Sequence, residues 1–437
     1  MRTVFSRVSS SALLAALLCT GCMEGDDALL DEAPLDEVDA ESPLPPPRVW
    51  NAQRQALGAD AARRQREVDR FIREELYPGY EILETTQTYS GDVVDWLDPA
   101  SVPGSQIQKP PPIPAEDLAP GVERERTELE EFAELRGPVG SIPMIRPQFE
   151  DYVRGEAVET SFADYIARVR RRPASRHGGE SQQFAGALNL ISGWKKSGVM
   201  TGTDASLSHF IGYTEAGAFS LVEATMRCDA PTGIQLIGAA VGKFGPAAAN
   251  AKPRLWVEFL TLGTLIGNYI GGWDGNVLGF TPAAGRPYGP GVALQLSIYN
   301  GAQYDSRVHI ENFSGNWWIS HNGNWLGYYP GWMFSVMSST ACMAQYYGEV
   351  GDPTPSCWTN TDMGSGQWAS AGAGKTAYVR NPYYIQNGVA TWLGLADLIS
   401  PYSPSYYTVT NVTAGPAPNW SAYFYVGGPG RVAPCFP

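Results

Sequence analysis

Two hydrophobic patterns divide the chain. In the first 180 or so residues, apolar positions recur at helical spacing between charged runs, as in Val68, Phe71, Ile72 and Leu76. That spacing predicts a helix over 56–75, which Pro78-Gly79 ends. Glu81 to Leu97 reads as a strand pair turning at Ser90-Gly91, and a charged helix is expected from about Glu123 to Leu135. Ser161 with Asp164 three residues on resembles a capping box, opening a short helix with Phe162, Tyr165, Ile166 and Val169 on one face.

From Phe184 onward the period becomes two. Short apolar and aromatic runs alternate with Gly, Asn and Pro clusters: 218–226, 233–241, 254–260, 291–299, 317–320, 325–329, 375–379 and 422–426. Many short strands with frequent turns imply an all-β, antiparallel sandwich or barrel, here preceded by a smaller α+β segment.

Charge follows the same division. Residues 181–437 hold 11 Lys and Arg against 12 Asp and Glu; subtraction from totals of 31 and 45 leaves 20 basic and 33 acidic residues in 1–180. No basic surface suits a nucleic acid, which excludes that partner class. Acid unfolds proteins largely by protonating carboxylates that the fold holds ionised, so a back half with few acids is expected to tolerate low pH.

The amino terminus reads as an export signal. Arg2 and Arg7 precede the apolar run 12–18, too short to span a bilayer as a helix. Leu18-Cys19-Thr20-Gly21-Cys22 then resembles a bacterial lipoprotein box with Cys22 lipidated, and a soluble secreted protein is the alternative. Contact with a membrane is expected only through that lipid. Residues 23–47 form an acidic, Pro-ending tether, 48–178 a front segment ending in the basic run Arg170-Arg171-Arg172, and 179–437 the β domain. Once Cys19 and Cys22 are set aside, Cys228, Cys342, Cys357 and Cys435 suggest two disulfides, with Cys342 and Cys357 the nearest pair.

The usual nucleophilic arrangements are missing from the sequence. There is no Gly-x-Ser-x-Gly elbow, and His177, His209, His309 and His321 lack metal-ligand spacing. Neither a cofactor nor a metal is expected. A hydrolase built this way would rely on carboxylates. Asp362 stands in the Gly-rich stretch 361–368, and three acids lie inside strand-like runs: Glu223, Glu258 and Glu349. Taken singly, each of the three could equally be a solvated strand acid.

The back half resembles the neprosin family of glutamic peptidases. The resemblance rests on Gly315-Asn316-Trp317-Trp318, Leu326-Gly327-Tyr328-Tyr329-Pro330, Gly348-Glu349-Val350, Met363-Gly364-Ser365-Gly366 and Gly374 to Asn381, in that order. In the front half, Gly91 to Asp95 and Gly137 to Pro143 with Arg146 resemble the family's activation segment. The resemblance implies a monomeric zymogen that cleaves proline-containing peptides in acid with two glutamates. Glu349 matches one of them. The other belongs to an Ile-Glu-Ala-Gly pattern, whose counterpart is read as 236–240, with Gly238 in the glutamate's place.

Glu223 offers a replacement, at a position where relatives commonly carry Gln. A hairpin turning at 229–232 would set Glu223 opposite Gly238, on one face, with Gly238 leaving room for its side chain. A slip of one residue would part them. Without a second carboxylate the same sandwich would be a non-catalytic peptide- or glycan-binding protein, and Glu258 is next in line for the role.

Overall fold

The computed structural model describes residues 58–430 except 114–120, 148, 156, 158–159, 171–187, 216, 231–232, 245–251, 262–270, 274–278, 353–358, 395–396, 400–404 and 416–418. The signal, Cys22, the tether, Arg171-Arg172 and His177 lie outside them, as do Cys357 and Cys435.

The front segment begins with helix α1 (Ala59–Phe71), continued by a π-helical turn, Ile72–Leu76. Val68, Phe71, Ile72 and Leu76 are all buried, as the helical spacing requires. Strands β1 (Ile82–Gln87) and β2 (Val93–Leu97) pair as expected, and β4 (Ile142–Ile145) adds to β2. The expected charged helix is a correction. Val122–Glu123 is strand β3, and only Glu128–Glu131 (α2) and a 3-10 turn at Ala133–Leu135 are helical. The Thr127–Glu130 capping box starts α2, and so late a start leaves one turn of helix. After α3 (Glu150–Arg154), α4 (Phe162–Arg170) carries the foreseen cap, with Ser161 Oγ accepting from the Asp164 amide at 3.1 Å.

Two antiparallel sheets make up the remainder. The first contains β5 (Leu188–Met200), β7 (Phe219–Ala230), β8 (Gly233–Phe244), β9 (Arg254–Thr261), β10 (Gly271–Trp273), β15 (Ala341–Asp352) and β18 (Asp397–Ile399), in the order β10-β9-β8-β7-β15-β5-β18. The second has β12 (Gln303–Phe313), β13 (Asn316–His321) and β14 (Asn324–Pro330) on one side of β6 (Gly202–Ser208). On its other side lie β16 (Ala377–Gln386) and β21 (Ala422–Gly427). Short strands add at the margins: β11 (Thr281–Pro282) to β14, β17 (Val389–Trp392) to β16, and β19 (Thr408–Val409) and β20 (Thr413–Ala414) to β21. The run 291–299, expected as a strand, makes only the isolated bridge Arg254↔Ala293.

Alternate residues of the two sheets interlock in one core. Val222, Ala224, Met226, Ile237, Ala239, Val241, Val257 and Phe259 meet Ala205, Leu207, Val308, Ile310, Trp317, Ile319 and Val379 there. Val94, Trp96, Leu129 and Leu135 of the front segment belong to the same core, so that segment packs into the sandwich. Strand β3 runs parallel to the start of β12, pairing Val122 with Gln303 and Glu123 with Tyr304.

The disulfide bond in the described residues joins Cys228 and Cys342, with Cα atoms 4.8 Å apart. This corrects the expectation drawn from sequence proximity. Cys228 on β7 and Cys342 on β15 are brought together by strand pairing, which sequence distance does not reveal.

Candidate active site

On β7, odd-numbered residues face away from the core, because even-numbered ones fill it. The outward row contains Leu221, Glu223, Thr225 and Arg227. On β15 the residues paired with these four are Glu349, Tyr347, Gln345 and Met343. Glu223 and Glu349 therefore project from the same face of adjacent strands as diagonal neighbours. Their Cα atoms are ~7–8 Å apart in such a pairing. Both residues are fully buried. The Tyr347 hydroxyl, opposite Glu223, donates to Glu223 Oε2 at 3.2 Å.

The β7–β8 hairpin is tighter than the sequence suggested. The strands run to Ala230 and from Gly233, and the register pairs Glu223 with Ala240, not Gly238. Gly238 faces Thr225 instead. The displacement is two residues, and an even slip keeps every side chain on its face. Glu223 thus stays on the predicted face, diagonal to Gly238.

Glu258 fills the space at Gly238. It pairs with Gly238 from β9, and its Oε1 lies 2.7 Å from where a Cβ on residue 238 would stand. Thr225 Cγ2 is 2.9 Å from the same point. Three buried glutamates thus follow a diagonal across the sheet, with Glu223 in the middle. From β15 to β9 is three strand spacings, ~14 Å, so Glu349 and Glu258 do not form a pair.

An aromatic wall borders the two nearer carboxylates. Phe219, Phe244 and Trp256 share the outward face, with ring centroids 5.1 Å apart between Phe219 and Phe244 and 4.6 Å between Phe244 and Trp256. Leu221 and Ala240 pack against that wall. Arg227, 2% exposed, holds Asp229 through Nε at 2.7 Å. The polar companions Thr225, Arg227, Gln345 and Tyr347 went unnoticed in the sequence. The period-two pattern around Glu223 carried the signal that would have found them.

Other candidates belong elsewhere. Asp362 Oδ2 accepts from the Tyr213 amide at 2.7 Å, fixing the loop before β7, and burial raises its pKa. His309 sits inside β12, where Nδ1 meets Asp204 and Nε2 meets Glu311. Burial opposes its charge, but those carboxylates prevail and raise its pKa. Among the described residues no cluster of His, Cys, Asp and Glu could hold a metal ion.

Residues 251–429 match the family model Neprosin, and the chain carries a Neprosin-family domain. Glu258 and Glu349 lie inside the matched stretch, and Glu223 precedes it. Among solved structures the chain is similar to the crystal structure of scytalido-glutamic peptidase with a transition state analog inhibitor. That match covers 55% of this chain and 97% of the other at 8% identity and a TM-score of 0.29. A likeness so loose leaves the fold to be read from the sheets themselves.

Proposed function

We propose that this Neprosin-domain protein is an acid-acting glutamic endopeptidase that hydrolyses peptides beside proline and is made with a covering front segment, residues 48–178. Placement of Glu223 and Glu349 on one buried face, as diagonal neighbours on adjacent strands, carries the reading. The proposed mechanism uses one of the two as the carboxylate and the other as the carboxylic acid. The ionised member draws a proton from water as the water attacks the peptide carbonyl. The protonated member hydrogen-bonds the developing oxyanion and then protonates the leaving amine. The wall of Phe219, Phe244 and Trp256 is an apolar surface suited to a proline ring.

The register is compatible with a relocated second glutamate, because Glu223 stands diagonal to Gly238 on the same face of adjacent strands. The carboxyl has then moved across one strand spacing, on the same face. Glycine at 238 in the glutamate's place also favours the second reading, a peptide- or glycan-binding protein without catalysis. Either reading goes with export, as a lipoprotein anchored at Cys22 or as a soluble secreted protein.

The test is cleavage of a proline-containing peptide mixture at pH 4 and pH 7 after removal of residues before about 180. Acid-dependent cleavage that Glu349→Gln abolishes supports the peptidase. No cleavage by the unmutated, processed protein moves the reading to a binding protein.

A further inference from the structure

A second buried polar cluster joins the front segment to the other sheet. Ser306 of β12 is its hub: its Oγ is 2.6 Å from His209 Nε2, 2.6 Å from His321 Nε2 and 3.3 Å from Glu125 Oε2. Glu125 comes from the front segment, two residues after β3, and its side chain is 1% exposed. His209, Ser306 and His321 are fully buried.

Hydrogen-bond chemistry fixes where the protons sit. The carbonyl of Gln295 can only accept, so His209 Nδ1, 2.8 Å away, carries a hydrogen. With that imidazole neutral, its Nε2 accepts, and the donor is the Ser306 hydroxyl. Ser306 has then used its one hydrogen. His321 Nε2 donates to Ser306, which leaves His321 Nδ1 to accept from the Tyr288 hydroxyl at 2.8 Å. Glu125 Oε1 accepts from the Gln295 amide at 2.9 Å. Only a proton on Glu125 Oε2 completes the bond to Ser306. If that proton instead crosses to His209, 3.6 Å from Glu125 Oε2, the count is unchanged. Either way the cluster is neutral with one proton beyond two neutral imidazoles and a carboxylate. A second proton, or none, leaves an uncompensated charge in the interior.

We propose that His209, Ser306 and His321 form a carboxyl-binding pocket of the sandwich, that its occupant is Glu125 of the front segment, and that the segment stays docked while the cluster holds this single proton. The proposal deepens the reading of residues 48–178 as a covering segment, because it names the contact that acid would release.

The pH dependence has two limbs. Facing the cluster are Glu125, His209, His321 and Tyr288 within it, and the fields of Asp305 and Glu130 reach it from β12 and α2. Asp305 is itself paired with Arg380. Burial lifts Glu125 from 4.5 to about 8, against the bond from the Gln295 amide that lowers it. Burial takes His209 from 6.5 to about 4, partly offset by its bond to Gln295, and burial with His209 nearby takes His321 from 6.5 to about 3. A raised carboxyl stabilises docking below its released value and loses that contribution as pH rises through about 8. The lowered histidines stabilise docking above 6.5 and lose that contribution as pH falls through about 4 and about 3. Docking is tightest between these limits and weakens on both sides.

Hydrogen exchange of the full chain from pH 4 to 8.5, corrected for intrinsic amide rates, reads this out without reference to peptidase activity. Residues 122–136 are expected to be most protected between these limits and to lose protection on both sides, while β7 and β8 keep theirs. In Glu125→Gln the amide donates to Ser306 and accepts from Gln295 without titrating, so the alkaline limb disappears and the acid limb stays. In His321→Gln the acid limb shrinks. A flat profile for 122–136 overturns the pocket, as does an unchanged two-limbed profile in Glu125→Gln or loss of protection in step with β7 and β8. Absent peptide cleavage with the two limbs intact would instead remove the peptidase reading and leave the pocket standing.

Discussion

Replacing each of the three buried glutamates by Gln in turn separates the carboxylates that work together from the one that does not. Gln keeps size and shape, so the processed variants are expected to fold, with melting as the check. Positioned acid–base groups contribute roughly 10²–10⁴ in rate. Glu223 and Glu349 are diagonal neighbours at ~7–8 Å, within reach of one water between them. On the proposed reading they act as a unit, so Glu223→Gln, Glu349→Gln and the double variant are expected to lose similar amounts, roughly 10³-fold or more in kcat/KM. Glu258 stands three strand spacings (~14 Å) across the sheet from Glu349 and four residues further along it, so Glu258→Gln is expected to cost less than about tenfold. The assay is kcat/KM on one proline-containing peptide from pH 3 to 7. A Glu258→Gln loss as large as that of Glu349→Gln, with Glu223→Gln near wild type, would refute the assignment.

Gly238→Ala would place a methyl group 2.7 Å from Glu258 Oε1 and 2.9 Å from Thr225 Cγ2, and the displacement is expected to cost about 1–3 kcal/mol in a denaturant titration. Replacing Cys228 and Cys342 together by Ala removes a cross-link between residues 114 apart in sequence. In the chain-entropy account that costs roughly 4–5 kcal/mol, readable as a lower denaturation midpoint that reductant no longer shifts. Arg380→Met would leave Asp305 buried without its cation, now bound through Nε at 2.6 Å and Nη2 at 2.9 Å, for a loss of about 3–5 kcal/mol. His309→Gln tests linkage: a histidine whose pKa is raised stabilises the fold below 6.5 and loses that contribution as pH rises through its folded value. The variant's stability deficit, from denaturant titrations at pH 5 and pH 9, is therefore expected to shrink at the higher pH.

Strand period made much of the sandwich legible. Runs such as 219–226, 233–241 and 254–260 alternate, because one face fills the core while the other carries the site. The face shared by Glu223 and Glu349 was readable for the same reason, since it depends on parity alone. Exact register was not readable. The register set by Ala230↔Gly233 differs by two residues from the expected one and puts Ala240, not Gly238, opposite Glu223. The role of Glu258 was hidden because it comes from β9, and which strand side chain leans into a glycine's space is a matter of packing. Likewise, the run 291–299 alternates but meets β9 only near the bridge Arg254↔Ala293, and so short a contact does not make a strand.

Glu125 shows how a charge in the sequence misleads when its surroundings are unknown. It stands in Arg124-Glu125-Arg126, which reads as a solvated helix face, yet the chain enters α2 three residues later and leaves Glu125 on an extended stretch beside β12. There the side chain turns into the protein and the two arginines stay exposed. The proposed peptidase works in acid, and lower pH also adds a second proton to the Glu125 pocket, which works with one. A chain with both features is expected to release its front segment over the pH range in which its peptidase site becomes competent. Comparing hydrogen exchange of 122–136 with peptide cleavage across pH 4–7 tests that coincidence. Cleavage that rises while 122–136 stays fully protected would separate the two sites and leave the segment without a gating role.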